Sequence, residues 1–143
     1  MIGVDTNFLL ELELAELPRH RAANALFDRH VGEPDFALAL VPQVLSEFVH
    51  IATDARRFTQ PLSMPEALRR SEFWWNARES TRVFPTANSM TLYHEWMGRY
   101  FLGRKRVLDT MLATTLYAAG VRRFFTSNPD DFRVFSVFEL LVP

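Results

Sequence analysis

The sequence contains no cysteine. That excludes disulfide staples, thiolate zinc sites and cysteine nucleophiles, and removes any requirement for an oxidising compartment. Lysine is almost as scarce: Lys105 is the only one among 16 basic residues, and the rest are arginine, which suits planar recognition of phosphate and carboxylate. The 5 glycines form neither a phosphate-cradling loop nor a dinucleotide fingerprint, and no G-x-S-x-G elbow is present. Long apolar runs are missing as well. The longest clean one, Phe36–Val41, falls far short of the roughly 20 residues a spanning helix needs. Met1–Asp5 lacks the basic and apolar regions of a signal peptide. The expectation is a soluble, cytoplasmic protein without membrane association. Neither sign of charge dominates: 16 basic and 17 acidic residues leave a net charge of −1. No global field points to a polyanionic partner, although segregated acidic and basic patches sum to the same value.

What is present is the composition of an ordinary folded chain. Of 143 residues, 48% are hydrophobic and 13% aromatic, with a mean hydropathy of −0.05. That is enough for one substantial core, so residues 1–143 are expected to form a single domain. Short apolar runs alternate with helix-like segments. Ile2–Val4 reads as a buried strand followed by the N-cap residues Asp5-Thr6-Asn7, with helices over Phe8–Leu17 and from Pro18 to Val31. Phe36–Val41 is a second strand, and Pro42 opens a helix to about Asp54. A helix over Glu66–Glu79, a short strand at Thr81–Phe84 and a helix capped by Asn88 or Ser89 and reaching Leu102 follow. Gly103 to Arg106 breaks the pattern, Val107–Ala119 resumes it, and Gly120 ends it. Arg123–Thr126 and Val134–Val142 read as final strands around an Asn128-Pro129-Asp130-Asp131 turn. This alternation predicts an α/β fold, a mostly parallel sheet covered by helices on both faces. Ligands of such sheets collect at the carboxyl ends of the strands.

Four polar features fall at that edge. Asp5 ends the first strand. Glu47 lies on the margin of the apolar arc formed by Val44, Phe48 and Ile51, which makes it semi-buried. Asp109 shares a helix stripe with Leu112 and Leu116, and an aspartate there needs a partner. Thr126 to Phe132 leaves a strand through several oxygen-bearing side chains. Converging carboxylates repel one another unless protonated or bridged by a cation. Hard oxygen donors, with no cysteine and no histidines paired at i+3 or i+4, favour Mg²⁺ or Mn²⁺ over zinc. Haloacid-dehalogenase-like phosphatases need an aspartate where Asn7 stands, and receiver domains need a lysine near the last strand; both are excluded.

The order of Met1–Asn7, Val41–Phe48 with Ser46-Glu47-Phe48, Leu108–Ala113 with Asp109, and Thr126-Ser127-Asn128-Pro129-Asp130-Asp131-Phe132 resembles that of PIN domains. The resemblance spans the whole chain and is strongest to the toxins of VapBC toxin–antitoxin pairs. It implies a three-layer α/β/α sandwich and a Mg²⁺-dependent endoribonuclease, usually a homodimer, neutralised by an antitoxin protein. By that likeness Asp5 and Asp109 are direct metal ligands and Glu47 a ligand or the group that orients the attacking water. Thr126, Asn128 and Asp131 form a supporting polar shell. Asn128 stands where an aspartate is frequent, which leaves open whether Asn128, Asp131 or a water completes the shell. The same substitution is the one feature favouring the alternative, a catalytically silent PIN-like module that binds RNA or protein. Arg104, Lys105 and Arg106, just ahead of the helix bearing Asp109, are candidate contacts to RNA phosphates. Leu9, Leu10, Leu12, Leu14 and Leu17 are too many for one core-facing stripe and are expected to leave an apolar surface for a partner helix or second subunit.

Overall fold

A computed structural model describes residues 1–143. Five strands, β1 (Ile2–Val4), β2 (Leu38–Leu40), β3 (Ser80–Arg82), β4 (Arg123–Phe125) and β5 (Glu139–Leu141), pair in parallel in the order β3-β2-β1-β4-β5. Seven helices connect or follow them: α1 (Thr6–Glu13), α2 (His20–Val31), α3 (Pro42–Ala52), α4 (Met64–Asn76), α5 (Ala87–Arg99), α6 (Val107–Ala118) and α7 (Asp130–Arg133). Arg104–Arg106 form a single 3-10 turn leading into α6. The chain moves outward from β1 to β3 on one side, then returns to place β4 and β5 on the other. The direction of winding therefore reverses between β1 and β4, where a crevice opens above the strand ends.

Alternation along β4 shows why both faces must be covered. Phe125 stacks on Phe8 of α1 at 4.8 Å and also meets Phe27 of α2, while Phe124 faces the opposite way onto Phe132 of α7 and onto Phe138. All residues of β1 and β2 are buried, as expected of strands sandwiched between helical layers. Gly3 is required by close approach: a Cβ there would lie 2.8 Å from Leu116 of α6 and 2.8 Å from Phe124. Local signals set several boundaries. Pro42 begins α3, Ser63 caps α4, and Gly120, with φ of 88°, follows the end of α6.

Several expected boundaries shift for identifiable reasons. α1 starts at Thr6, because Asp5 takes the N-cap, and ends at Glu13, where Leu14 becomes extended. α2 begins at His20 rather than Pro18. Thr86, not Asn88 or Ser89, caps α5; Ser89 instead completes a reciprocal capping box. The last strand shrinks to Glu139–Leu141 because the chain first makes α7 and then a left-handed residue, Ser136 at φ 54°. The expected apolar surface on the first helices is not there. Leu9, Leu10, Leu12 and Leu14 are all buried and Leu17 partly so, since α1 packs against both α2 and α3 and thus faces the core on more than one side.

Candidate active site

Asp5 leaves β1 and Thr126 leaves β4, so the two stand side by side at the crevice. The Asp5 side chain has two fixed partners. Oδ1 accepts the Phe8 backbone N–H at 2.6 Å, capping α1, and Oδ2 accepts the Thr126 hydroxyl in a very short hydrogen bond. The Asn128 backbone N–H donates to Thr126 Oγ1 at 3.0 Å, which leaves the hydroxyl proton directed at Asp5. Asp5 is thus both a helix cap and a buried carboxylate at the crevice.

Glu47 reaches the same place from α3. Thr6 Oγ1 donates to Oε2 at 3.1 Å and Gln43 Nε2 donates to Oε1 at 2.8 Å. Gln43 also donates to the Leu108 carbonyl at 3.2 Å, tying α3 to the start of α6. Asp109 sits in the first turn of α6. Asp131, in the first turn of α7, pairs with Arg106 at 3.2 Å, and Arg106 also donates to the Asp131 carbonyl. Together Asp5, Glu47, Asp109, Asn128 and Asp131 line one cavity of about 80 Å³, joined by Thr6, Asn7 and Gln43.

The electrostatics follow from this crowding. Burial pushes the Asp5 carboxyl up to about 7 against the opposing pull of its two hydrogen bonds, and the charges of Asp109 and Glu11 push in the same direction as burial. Asp109 is raised to about 6, first by burial, then by Asp131, with Arg106 opposing and Glu47 adding to the rise. Carboxylates that resist ionisation because they are buried, with other carboxylates nearby, are donors that a hard cation relieves. The donor set is all oxygen, which fits Mg²⁺ or Mn²⁺. The cage is not closed: no three acidic or histidine side chains stand close enough to hold an ion as they are. The reason is visible in the bonds above, which turn Asp5 towards Thr126, Glu47 towards Thr6 and Gln43, and Asp131 towards Arg106.

The basic triplet divides. Arg104 and Lys105 are exposed, whereas Arg106 turns inward to Asp131 and its Nε is buried without a partner. Arg106 is therefore placed to balance the acidic cavity rather than to meet solvent. Thr6, Asn7, Gln43 and the inward role of Arg106 were not among the expected site residues. Gln43 carried one signal, its position one helical turn before Glu47.

A reversed α/β winding with carboxylates clustered at its switch point is the arrangement this chain shares with PIN-like folds. No family model matches the chain. Ribonuclease VapC24 of Mycobacterium tuberculosis strain H37Rv is 31% identical over 137 residues, covering 94% of this chain and 91% of its own length. Ribonuclease VapC43 of the same strain is 31% identical over 87 residues, 61% of this chain and 54% of its own. Among solved structures, the sarcin–ricin loop cleaving toxin VapC20 of M. tuberculosis superposes with a TM-score of 0.66 at 20% identity, covering 87% of each chain. VapBC-1 of nontypeable Haemophilus influenzae gives 0.67 at 14% identity, covering 99% of this chain and 98% of its own. The chain belongs to the VapC family of ribonucleases.

Proposed function

We propose that the chain is a Mg²⁺-dependent endoribonuclease, with Mn²⁺ as the substitute ion, and the toxin of a VapBC-type pair. The observation that carries this reading is the single cavity shared by Asp5, Glu47 and Asp109 at the β1/β4 switch point, with Asn128 and Asp131 on its rim. The relatives named ribonucleases and the superposed toxin–antitoxin structures support it. Residues 1–143 act as one cytoplasmic domain, as a homodimer held in check by an antitoxin protein.

Asp5, Asp109 and Glu47 would hold the cation, with Thr126, Asn128 and Asp131 as the polar shell. When bound, the ion supplies Lewis-acid stabilisation of charge on the phosphate and acidifies a bound water. The chain's own residues do the positioning. Thr126 fixes the orientation of Asp5, while Gln43 and Thr6 hold Glu47 so that its carboxylate can orient a water or accept its proton. Arg106 offsets the charge of Asp131 beside Asp109. The exposed Arg104 and Lys105 contact phosphates flanking the cleavage point.

The test is incubation of the purified protein with total RNA in Mg²⁺ and in chelator, beside an Asp5→Ala variant. Discrete fragments in Mg²⁺ alone, absent with the variant, support the reading. Undiminished cleavage by Asp5→Ala contradicts it, and RNA binding without any cleavage favours the silent module that Asn128 allows.

A further inference from the structure

Helices α5 and α6 end in the same way. At α5 the Leu102 backbone N–H donates to the Met97 carbonyl at 3.0 Å and the Phe101 N–H to that of Gly98 at 3.2 Å. At α6 the Val121 N–H donates to Leu116 and the Gly120 N–H to Tyr117, both at 3.0 Å. In this double bond the residue after the C-cap turns left-handed, where a Cβ crowds the backbone and glycine is the ordinary occupant. Gly120, at φ 88°, fits that rule; Phe101, at φ 51°, does not. The Phe101 side chain is also 95% exposed, against 66% for Phe73 on α4. Its neighbours are anchored, Tyr100 against the buried Phe135 at 5.8 Å and Leu102 against the core. A fixed backbone therefore holds the ring out into solvent, at a cost in strain and exposed apolar surface that no contact within the chain offsets. Two free cations follow it. Arg104 and Lys105 are exposed and their side chains make no hydrogen bond or ion pair, whereas Arg106 ties the same segment to Asp131 of the acidic cavity.

Resting on the ribonuclease reading above, we propose that Phe101 is a specificity-determining residue, a platform on which one RNA base stacks while Arg104 and Lys105 hold the phosphates beside it. A rigid aromatic face next to free cations is complementary to a base face next to phosphate charge, a pairing that nucleic acid supplies. A second copy of this chain docked here close to a two-fold axis would set Arg104 and Lys105 against the same charges, so the polyanion is the favoured partner. Stacking accepts every base, because each has a π-face. What it fixes is distance. The segment from Phe101 to Arg106 is short and anchored at both ends, by Tyr100 and Leu102 and by the Arg106–Asp131 pair. The stacked nucleotide thus stands at a set separation from the carboxylates, and that separation selects which bond is cut.

The experiment follows the anisotropy of a fluorescein-labelled 12-nucleotide single-stranded RNA of mixed sequence, titrated with the full chain in chelator so that binding is read without cleavage. Phe101→Ala and Phe101→Leu should each weaken binding about tenfold while keeping the slope of log affinity against log salt, and Phe101→Trp should keep both. Arg104→Gln combined with Lys105→Gln should reduce the magnitude of that slope by about 1.4, the value for two phosphate contacts to a single strand. Phe73→Ala, which removes an exposed aromatic on α4, serves as the control and changes neither. Circular dichroism establishes that each variant is folded. Phe101→Gly separates function from fold: freed of its left-handed side chain, the protein should gain about 3 °C in Tm while losing the same tenfold in affinity. A lower Tm in Phe101→Gly would mean that the ring serves the fold, and overturns the proposal. Cleavage of total RNA in Mg²⁺, with the new ends sequenced, distinguishes the two levels. No cleavage by wild type removes the underlying ribonuclease reading. Cleavage by wild type with altered cut sites in Phe101→Ala supports the platform. Unchanged cut sites, or unchanged affinity for the 12-nucleotide RNA, in Phe101→Ala overturns it. Lost self-association of Phe101→Ala in sedimentation equilibrium, with RNA affinity intact, assigns the ring to a second copy instead.

Discussion

Replacing Asp5 by asparagine separates stability from function at one atom pair. The amide oxygen still caps Phe8, and the amide nitrogen replaces a carboxylate oxygen opposite Thr126, whose hydroxyl can turn to accept. What disappears is the ionisation of a group that is 5% exposed and whose carboxyl is pushed up to about 7. A carboxyl raised on folding lends its full stability below the unfolded value of 3.8 and loses it as pH rises through the folded value near 7. The shift of about three units corresponds to a ceiling of about 4 kcal/mol, at about 1.4 kcal/mol per unit. In chelator, wild type should therefore lose stability relative to Asp5→Asn between pH 4.5 and 7.5. The gap opens towards about 4 kcal/mol, on the order of 10 °C in Tm for a chain of this length. The assay is urea unfolding at a series of pH values, with Tm as a second readout. Mg²⁺ or Mn²⁺ at about 100 times its dissociation constant should return about 2.7 kcal/mol to wild type at pH 7.5 and less to the variant. A wild-type curve parallel to the variant's across this pH range would refute the buried, ionisable Asp5 on which the metal reading depends.

Other substitutions give readings of different kinds. Gly3→Ala places a methyl 2.8 Å from Leu116 and Phe124, and should cost about 1–3 kcal/mol in urea unfolding; unchanged stability would mean these packed layers yield more easily than their burial implies. Thr126→Val removes the donor to Asp5 Oδ2 while keeping shape, and should cost about 1–3 kcal/mol and lower cleavage, whereas Thr126→Ser restores both. Arg106→Gln leaves Asp131 without its counter-charge next to Asp109 and pushes the Asp109 carboxyl further up, so the cation concentration giving half-maximal cleavage should fall more steeply as pH rises than in wild type; an identical pH dependence would remove Arg106 from the site. Low pH should weaken the Glu33–Arg123 pair: the carboxylate is held down to about 2 by hydrogen bonds from Arg123 and His30. Its stabilisation, present above the ordinary glutamate value, is lost as pH falls towards 2, and Glu33→Gln should flatten the acid limb of the unfolding profile.

Much of this arrangement was legible because the strongest signals are local. Buried runs at Ile2–Val4 and Phe36–Val41, each followed by a helix start, announce parallel strands. A carboxylate just past such a strand, or inside an apolar helix stripe, marks the edge where ligands gather. Asp5, Glu47 and Asp109 could be placed at one edge from that pattern, and they line one cavity. The final strand misled because Val134–Val142 is apolar at all positions but Ser136 and Glu139, yet the aromatic spacing at Phe132, Phe135 and Phe138 is three, not the two of a strand. The leucines of α1 misled for a related reason: a helix covered by two neighbours buries more than one stripe. Gln43, the inward turn of Arg106 and the Glu11–Ser127–Arg19 fastening depend on contacts between residues far apart in sequence. Only the folded chain shows them.

The central claim, that the carboxylates at the β1/β4 crevice cut RNA with the help of a divalent cation, is tested most directly by single-turnover cleavage rates against Mg²⁺ concentration. Wild type, Asp5→Asn and Asp109→Asn are compared on one RNA preparation after folding is established for each. A saturable Mg²⁺ dependence in wild type and rates at least about 100-fold lower in both variants are expected. Wild-type rates in either folded variant, or a wild-type rate indifferent to Mg²⁺ and chelator, would contradict it.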